Sequence, residues 1–130
     1  MKQLVLLVGT LYGATSVILG AFGAHAFKKI LPAEKLLSFE TGVKYQMYHA
    51  LLLVIIGLTL QFGSTLEKSA AWSLIIGTFV FSVSIYLLSF ADHWGINLKW
   101  LGPITPLGGL FMIVGWFLLF FYFLKTKGLG

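Results

Sequence analysis

Residues 70–91 read AAWSLIIGTFVFSVSIYLLSFA, twenty-two consecutive positions without a charge. A helix needs about 20 apolar residues to cross a hydrocarbon core of about 30 Å. Three further, mostly apolar runs occupy residues 4–26, 43–62 (with Lys44 at its start) and 106–124. Only 10% of the chain is charged and 58% is hydrophobic, with a mean hydropathy of +0.95, whereas a soluble domain carries about 25% charged residues. The expected fold is therefore all-α: a polytopic membrane protein whose residues 1–130 form one four-span transmembrane domain, a four-helix bundle with short connections. Its expected place is a cell membrane, the inner or plasma membrane of a bacterium. The spans leave no room for an added soluble catalytic or DNA-binding domain.

The net charge of +5 comes from nine scattered lysines. They form no basic, aromatic-interleaved surface, so no nucleic-acid partner is expected. Lysines at span ends suit lipid headgroups. The absence of cysteine excludes disulfides and thiolate chemistry. Lys2 followed by an apolar run and Ala24-His25-Ala26 resembles a signal peptide. The run exceeds the usual 7–15 residues, so a retained helix is expected. Four lysines fall on one face and four on the other, with Lys44 a turn deeper on the second, and the positive-inside rule assigns no orientation.

Four crossings place the first and third connections on one membrane face. That face receives His25, His49 and His93 and the acids Glu34, Glu40 and Asp92. A polar pole lined by His25, Glu40, Lys44, Tyr45, Gln46, His49, Asp92 and His93 is the candidate ligand-binding site. At about 100° per residue, Tyr45, Gln46, His49, Leu53 and Ile56 share one helical face, with Glu40 and Lys44 nearly opposite. Two readings of His49 stand side by side. Intramembrane ionisable groups mark sites and pathways, but a neutral histidine bonded to Gln46, a tyrosine or a backbone carbonyl also serves as helix–helix glue. For His25, a backbone partner at the interface is preferred over a ligand.

Gly9, Gly13, Ser16, Gly20 and Gly23 recur at four, three, four and three residues, a stripe that lets helices approach closely in lipid. Ser73, Gly77 and Ser84 form a second stripe. Thr78, Ser82 and Ser89 are expected to bond backbone carbonyls one turn back on their own helix. Helix two is expected to start at Pro32. Gly95 reads as a helix C-cap, and Thr105-Pro106 as N-cap and first residue of span four. Glu40 and Lys44 have the favoured order for a helical ion pair. Asp92, at the negative end of a helix dipole, needs a cation, with Lys28, Lys29 and Lys44 as candidates. Trp94 and Trp100 suit the membrane interface, and Lys125 and Lys127 suit water.

No two histidines stand at ligand spacing, so no metal site is expected. No nucleophile or phosphate loop is marked, so neither an enzyme nor a cofactor is expected.

The segments Gly20-Ala21-Phe22-Gly23-Ala24-His25-Ala26 and Phe39-Glu40-Thr41-Gly42-Val43-Lys44-Tyr45-Gln46-Met47-Tyr48-His49-Ala50, with Gly102-Pro103-Ile104-Thr105-Pro106-Leu107-Gly108-Gly109, resemble the YgdD/YwdK-like small membrane proteins (domain of unknown function 423). The resemblance covers essentially the whole chain. Its motif residues map onto Gly20, Gly23, His25, Gly42, Tyr45, Gln46 and His49. It implies a bacterial inner-membrane protein with organellar relatives and supplies no catalytic assignment.

The expected function is non-enzymatic binding of a partner or lipid through the polar pole. The alternative is a small oligomeric transporter or channel subunit with His49 on a proton or substrate path. Membrane lipids are the expected partners, with a homo-oligomer or another membrane protein as the protein partner.

Overall fold

The computed structural model of the chain describes residues 1–126; Lys127 lies outside them. Four helices run in order: α1 (Lys2–Ala24), α2 (Ala33–Thr59), α3 (Thr65–Trp94) and α4 (Ile104–Lys125). Short 3₁₀ turns at Phe27–Lys29 and Lys99–Leu101 interrupt the first and third connections. No strand occurs among the described residues. All four helices are long and apolar enough to cross a membrane. The protein is a four-helix transmembrane bundle.

The helix ends have identifiable causes. Pro32 is the N-cap of α2, one residue before its first turn. Gly95 adopts the left-handed conformation at φ 69°, and Ile96 N–H donates to Ala91 O (3.0 Å). That is a Schellman termination, which a residue without a Cβ allows cheaply. The turn before α3 carries a capping box: Ser64 accepts from Glu67 N–H, while the Glu67 carboxylate accepts from Ser64 N–H (2.9 Å) and Phe62 N–H (3.0 Å). Lys2 Nζ donates to the carbonyls of Leu58 (3.2 Å) and Leu60 (2.8 Å), so the first helix caps the end of the second.

The start of α4 differs from expectation. The N-cap is Pro103, and Thr105 and Pro106 lie inside the first turn. A proline fits there because the first N–H groups of a helix have no intrahelical acceptor. Thr105 instead shares a hydrogen bond with Ser84 of α3 (2.6 Å).

Packing follows the small residues. A Cβ on Gly9 would lie 3.1 Å from the Val54 backbone nitrogen, and one on Gly23 3.2 Å from the Phe39 ring. Gly13 faces Ala50, Gly20 faces Val43, and Ser16 Oγ donates to Val43 O (2.9 Å). The whole stripe of α1 therefore lies against α2. On α3, a Cβ on Gly77 would meet the backbone of α4 at Met112 N (2.7 Å) and Gly108 O (2.9 Å), while one on Gly108 would lie 2.5 Å from Phe81 N. Ser73 is half-buried. In lipid, such backbone approach and the dispersion it gains replace the hydrophobic effect as the cause of association.

Each helix packs chiefly on its sequence neighbour. Among the described residues, no Cα of α4 comes within 8 Å of α1 or α2. The end formed by the first and third connections is closed by aromatic rings. Phe27 meets Phe39 (centroids 5.3 Å) and Phe90 (4.8 Å) edge to face, and Leu31 is buried with them.

Gly108→Ala is expected to destabilise the protein by about 1–3 kcal/mol, because the new methyl meets backbone that cannot yield. Gly63→Ala, with open space around it, is expected to stay within about 0.5 kcal/mol. Denaturant unfolding in detergent micelles, followed by circular dichroism, measures both.

Candidate functional site

α2 carries the polar residues of the membrane interior to two different neighbours. Gln46 is buried against α1 and α3. Its amide nitrogen donates to Tyr12 O (2.9 Å) and Thr15 Oγ1 (2.7 Å), and its amide oxygen accepts from Tyr86 OH (2.6 Å). One side chain thus ties three helices and uses all of its donors. One helical turn later, His49 is 5% exposed and points to α4. Its Nδ1 donates to Tyr45 O (2.7 Å), and its Nε2 accepts from Trp116 Nε1–H (3.0 Å). These bonds define the neutral tautomer with the proton on Nδ1. Both ring nitrogens are engaged, as the packing reading of His49 requires. The bond is also a side-chain bridge between two helices whose backbones do not approach.

The eight residues read as a polar pole therefore go to separate places. Gln46 and His49 face different helices. Tyr45 is partly exposed and lies against Phe81 at 5.2 Å. Glu40 and Lys44 line a small cavity of about 130 Å³ with Gly20 and Gly23. The expected Glu40–Lys44 ion pair is not formed among the described residues, where Lys35–Asp92 is the ion pair present. His25 is exposed beside Lys28 and Lys29. His93 is exposed and contacts the Phe90 ring. No cluster of three His, Asp or Glu side chains occurs among the described residues.

The cation opposite Asp92 is Lys35, at 3.9 Å, and not Lys28, Lys29 or Lys44. The first turn of α2 lies across from the end of α3, whereas Lys28 and Lys29 belong to the 3₁₀ turn before it. Asp92 is 84% exposed, so this pair contributes little. Lys35 also belongs to two cavities at this end. One, about 600 Å³, is lined by Asp92, Asn97 and Lys99. The other, about 420 Å³, is lined by Ser38, Ser89 and Thr105. Lys35 and Leu88 line both, so the two form one groove at the mouth of α2, α3 and α4.

A third cavity lies within the membrane-spanning region. It measures about 290 Å³ and occupies the gap between α1 and α3, with Gln46 of α2 behind it. Leu11, Leu19, Phe79 and Val83 line it together with Tyr12, Thr15, Gln46, Thr78, Ser82 and Tyr86, and its surface is almost wholly apolar. The hydroxyls of α3 do not all behave as expected. Ser89 Oγ donates to Ile85 O one turn back (2.8 Å). Ser82 Oγ instead crosses to Gly42 O of α2 (2.8 Å), because Gly42 lets α3 approach there. Thr78 is 0% exposed, and its Oγ1 is the one buried side-chain oxygen or nitrogen without a partner among the described residues. Such a group is disfavoured by about 1–3 kcal/mol. The spacing Thr78, Ser82, Tyr86, four residues apart on an apolar span, was the available signal that this face of α3 turns inward.

A family model described as "Protein of unknown function (DUF423)" matches residues 19–109. The chain belongs to the DUF423 family. This DUF423 protein is 38% identical to a UPF0382 membrane protein of Staphylococcus haemolyticus, over 97% of this chain and 99% of that one. It is 35% identical to the UPF0382 membrane protein YwdK of Bacillus subtilis, over 88% and 90% of the two chains. It is 31% identical to the UPF0382 inner membrane protein YgdD of Escherichia coli, over 99% and 95%. No solved structure matches. With four helices able to cross a membrane, it is a multi-pass membrane protein.

A double-mutant cycle on Gln46→Leu and Tyr86→Phe is expected to give a coupling of about 0.6 kcal/mol and at most about 1.7, the range for hydrogen bonds between helices in lipid. Unfolding in a membrane-mimetic measures it; a coupling of zero would remove Gln46 as a tie to α3.

Proposed function

We propose that this DUF423 protein is a non-enzymatic membrane protein that holds an anionic lipid headgroup in the groove at the mouth of α2, α3 and α4. The observation that carries this reading is the placement of Lys35 and Lys99 on one cavity of about 600 Å³. Lys35 also reaches the adjoining cavity, where Ser38, Ser89 and Thr105 offer hydroxyl groups. Its attraction to the exposed Asp92 is weak, so a phosphate competes for it readily. Trp94 and Trp100, next in sequence to the lining residues Gly95 and Lys99, are exposed, which suits aromatic residues at headgroup depth. Asn97 Oδ1 accepts from Lys99 N–H (3.1 Å) and steadies the turn that carries Lys99.

The candidate site thus lies about four helical turns from His49 along α2, at the connections. Binding there needs no chemistry beyond charge and hydrogen bonding. The transporter reading draws no support from His49, whose two ring nitrogens are both engaged.

Lys35→Gln and Lys99→Gln are each expected to weaken retention of anionic phospholipid about fivefold, following about 1 kcal/mol per lysine near a charged surface. Native mass spectrometry of protein released from nanodiscs of mixed anionic and zwitterionic lipid measures this. Equal retention of both lipids by the unaltered protein would reject the reading.

A further inference from the structure

We propose that the lipid held at the mouth of α2, α3 and α4 is a phosphodiester whose headgroup alcohol carries hydroxyl groups, of the phosphatidylglycerol type. This inference rests on the anionic-lipid reading above and names the lipid. The groove has two halves of different chemistry, which meet at Lys35 and Leu88. The larger half supplies donors. Lys35 and Lys99 bring ammonium groups to it, and Asn97 brings a side-chain amide. Asn97 Oδ1 accepts from Lys99 N–H (3.1 Å), and the amide nitrogen has no protein partner among the described residues. Phosphate oxygens accept from groups of this kind.

The smaller half, about 420 Å³, offers acceptors. Its side-chain oxygens are those of Ser38, Ser89 and Thr105. Ser38 donates to Glu34 O (3.4 Å) and Ser89 to Ile85 O (2.8 Å). Thr105 has two internal acceptors, Ser84 Oγ (2.6 Å) and Leu101 O (3.5 Å), while Ser84 gives its own proton to Phe81 O (2.9 Å). These hydroxyls have thus placed their protons inside the protein and keep acceptor lone pairs. Ser38 is exposed and Thr105 half-buried, so neither is sealed from the groove; Ser89 is buried behind them. The complementary ligand group is a donor. An ammonium is disfavoured there, because Lys35 is the one charged side chain lining this half and repels it. The donor that remains is an uncharged hydroxyl. Asp92 lines the other half and already faces Lys35 at 3.9 Å. Because Lys35 belongs to both halves, a phosphate on its ammonium brings its ester alcohol to the entrance of the smaller one.

The test uses the full chain in nanodiscs of zwitterionic lipid doped with equal amounts of phosphatidylglycerol and phosphatidylethanol. The two carry the same phosphodiester charge and differ in the hydroxyls of the alcohol. Native mass spectrometry of the released protein gives the ratio in which they are retained. A ratio of about five in favour of phosphatidylglycerol is expected, the size of an ordinary hydrogen bond. Ser38→Ala combined with Thr105→Val is expected to bring the ratio close to one. Ser38→Ala alone is expected to lower it about twofold; its exposed position keeps the test valid where Thr105→Val disturbs folding. A ratio of one in the unaltered protein, or a ratio that both variants leave unchanged, would overturn the inference. In the first case, enrichment of both lipids over the zwitterionic one leaves the anionic-lipid reading standing without its hydroxyl preference, and enrichment of neither removes that reading as well. Displacement of phosphatidylglycerol by an equal amount of soluble glycerophosphoglycerol would assign the groove to a free phosphodiester and overturn the lipid.

Discussion

The polar contacts of this fold, Thr78 excepted, answer to one constraint: in hydrocarbon, a polar group must find its partner inside the protein. Gln46 meets it by joining α1, α2 and α3 through the Tyr12 carbonyl, Thr15 and Tyr86. Ser16 and Ser82 meet it by bonding carbonyls of α2, and His49 by bonding Tyr45 O and Trp116. α2 is thereby the hub. It is the helix to which polar bonds from α1, α3 and α4 all run.

The glycines decide how close the neighbours come. α1 lies on α2 through Gly9, Gly13, Gly20 and Gly23, and α4 lies on α3 through Gly77 and Gly108. Tight pairing of sequence neighbours leaves α1 and α3 in little direct contact. Tyr12 OH on Ile75 O is a polar tie between them, and the cavity lined by Thr78 occupies the remaining gap. The same pairing leaves α4 remote from α2 along its backbone, and the long side chains of His49 and Trp116 close that distance. Packing by small residues thus makes both the bundle and its openings.

Much of the local structure was legible. The α1 stripe announced a close helix contact, Gly95 announced a termination, and the even number of crossings placed the first and third connections together. Other features escaped for physical reasons. Thr105 was a plausible cap, but a hydroxyl opposite it on Ser84 offered a better bond. Asp92 needed a cation, and the choice of Lys35 depended on where the first turn of α2 lands. Ser64 and Glu67 carry a capping-box spacing, a local signal for the start of α3.

The sequence by itself determined that this chain lies in a membrane as four helices and which faces carry small and polar residues, because length, hydropathy and periodicity are local properties. Only the tertiary structure decided that His49 meets Trp116, that Lys35 and Lys99 share a groove, and that Thr78 stands without a partner beside a cavity. Those outcomes depend on how helices rotate and slide against one another. That is set by the summed contacts of many small residues, which no single stretch of sequence contains.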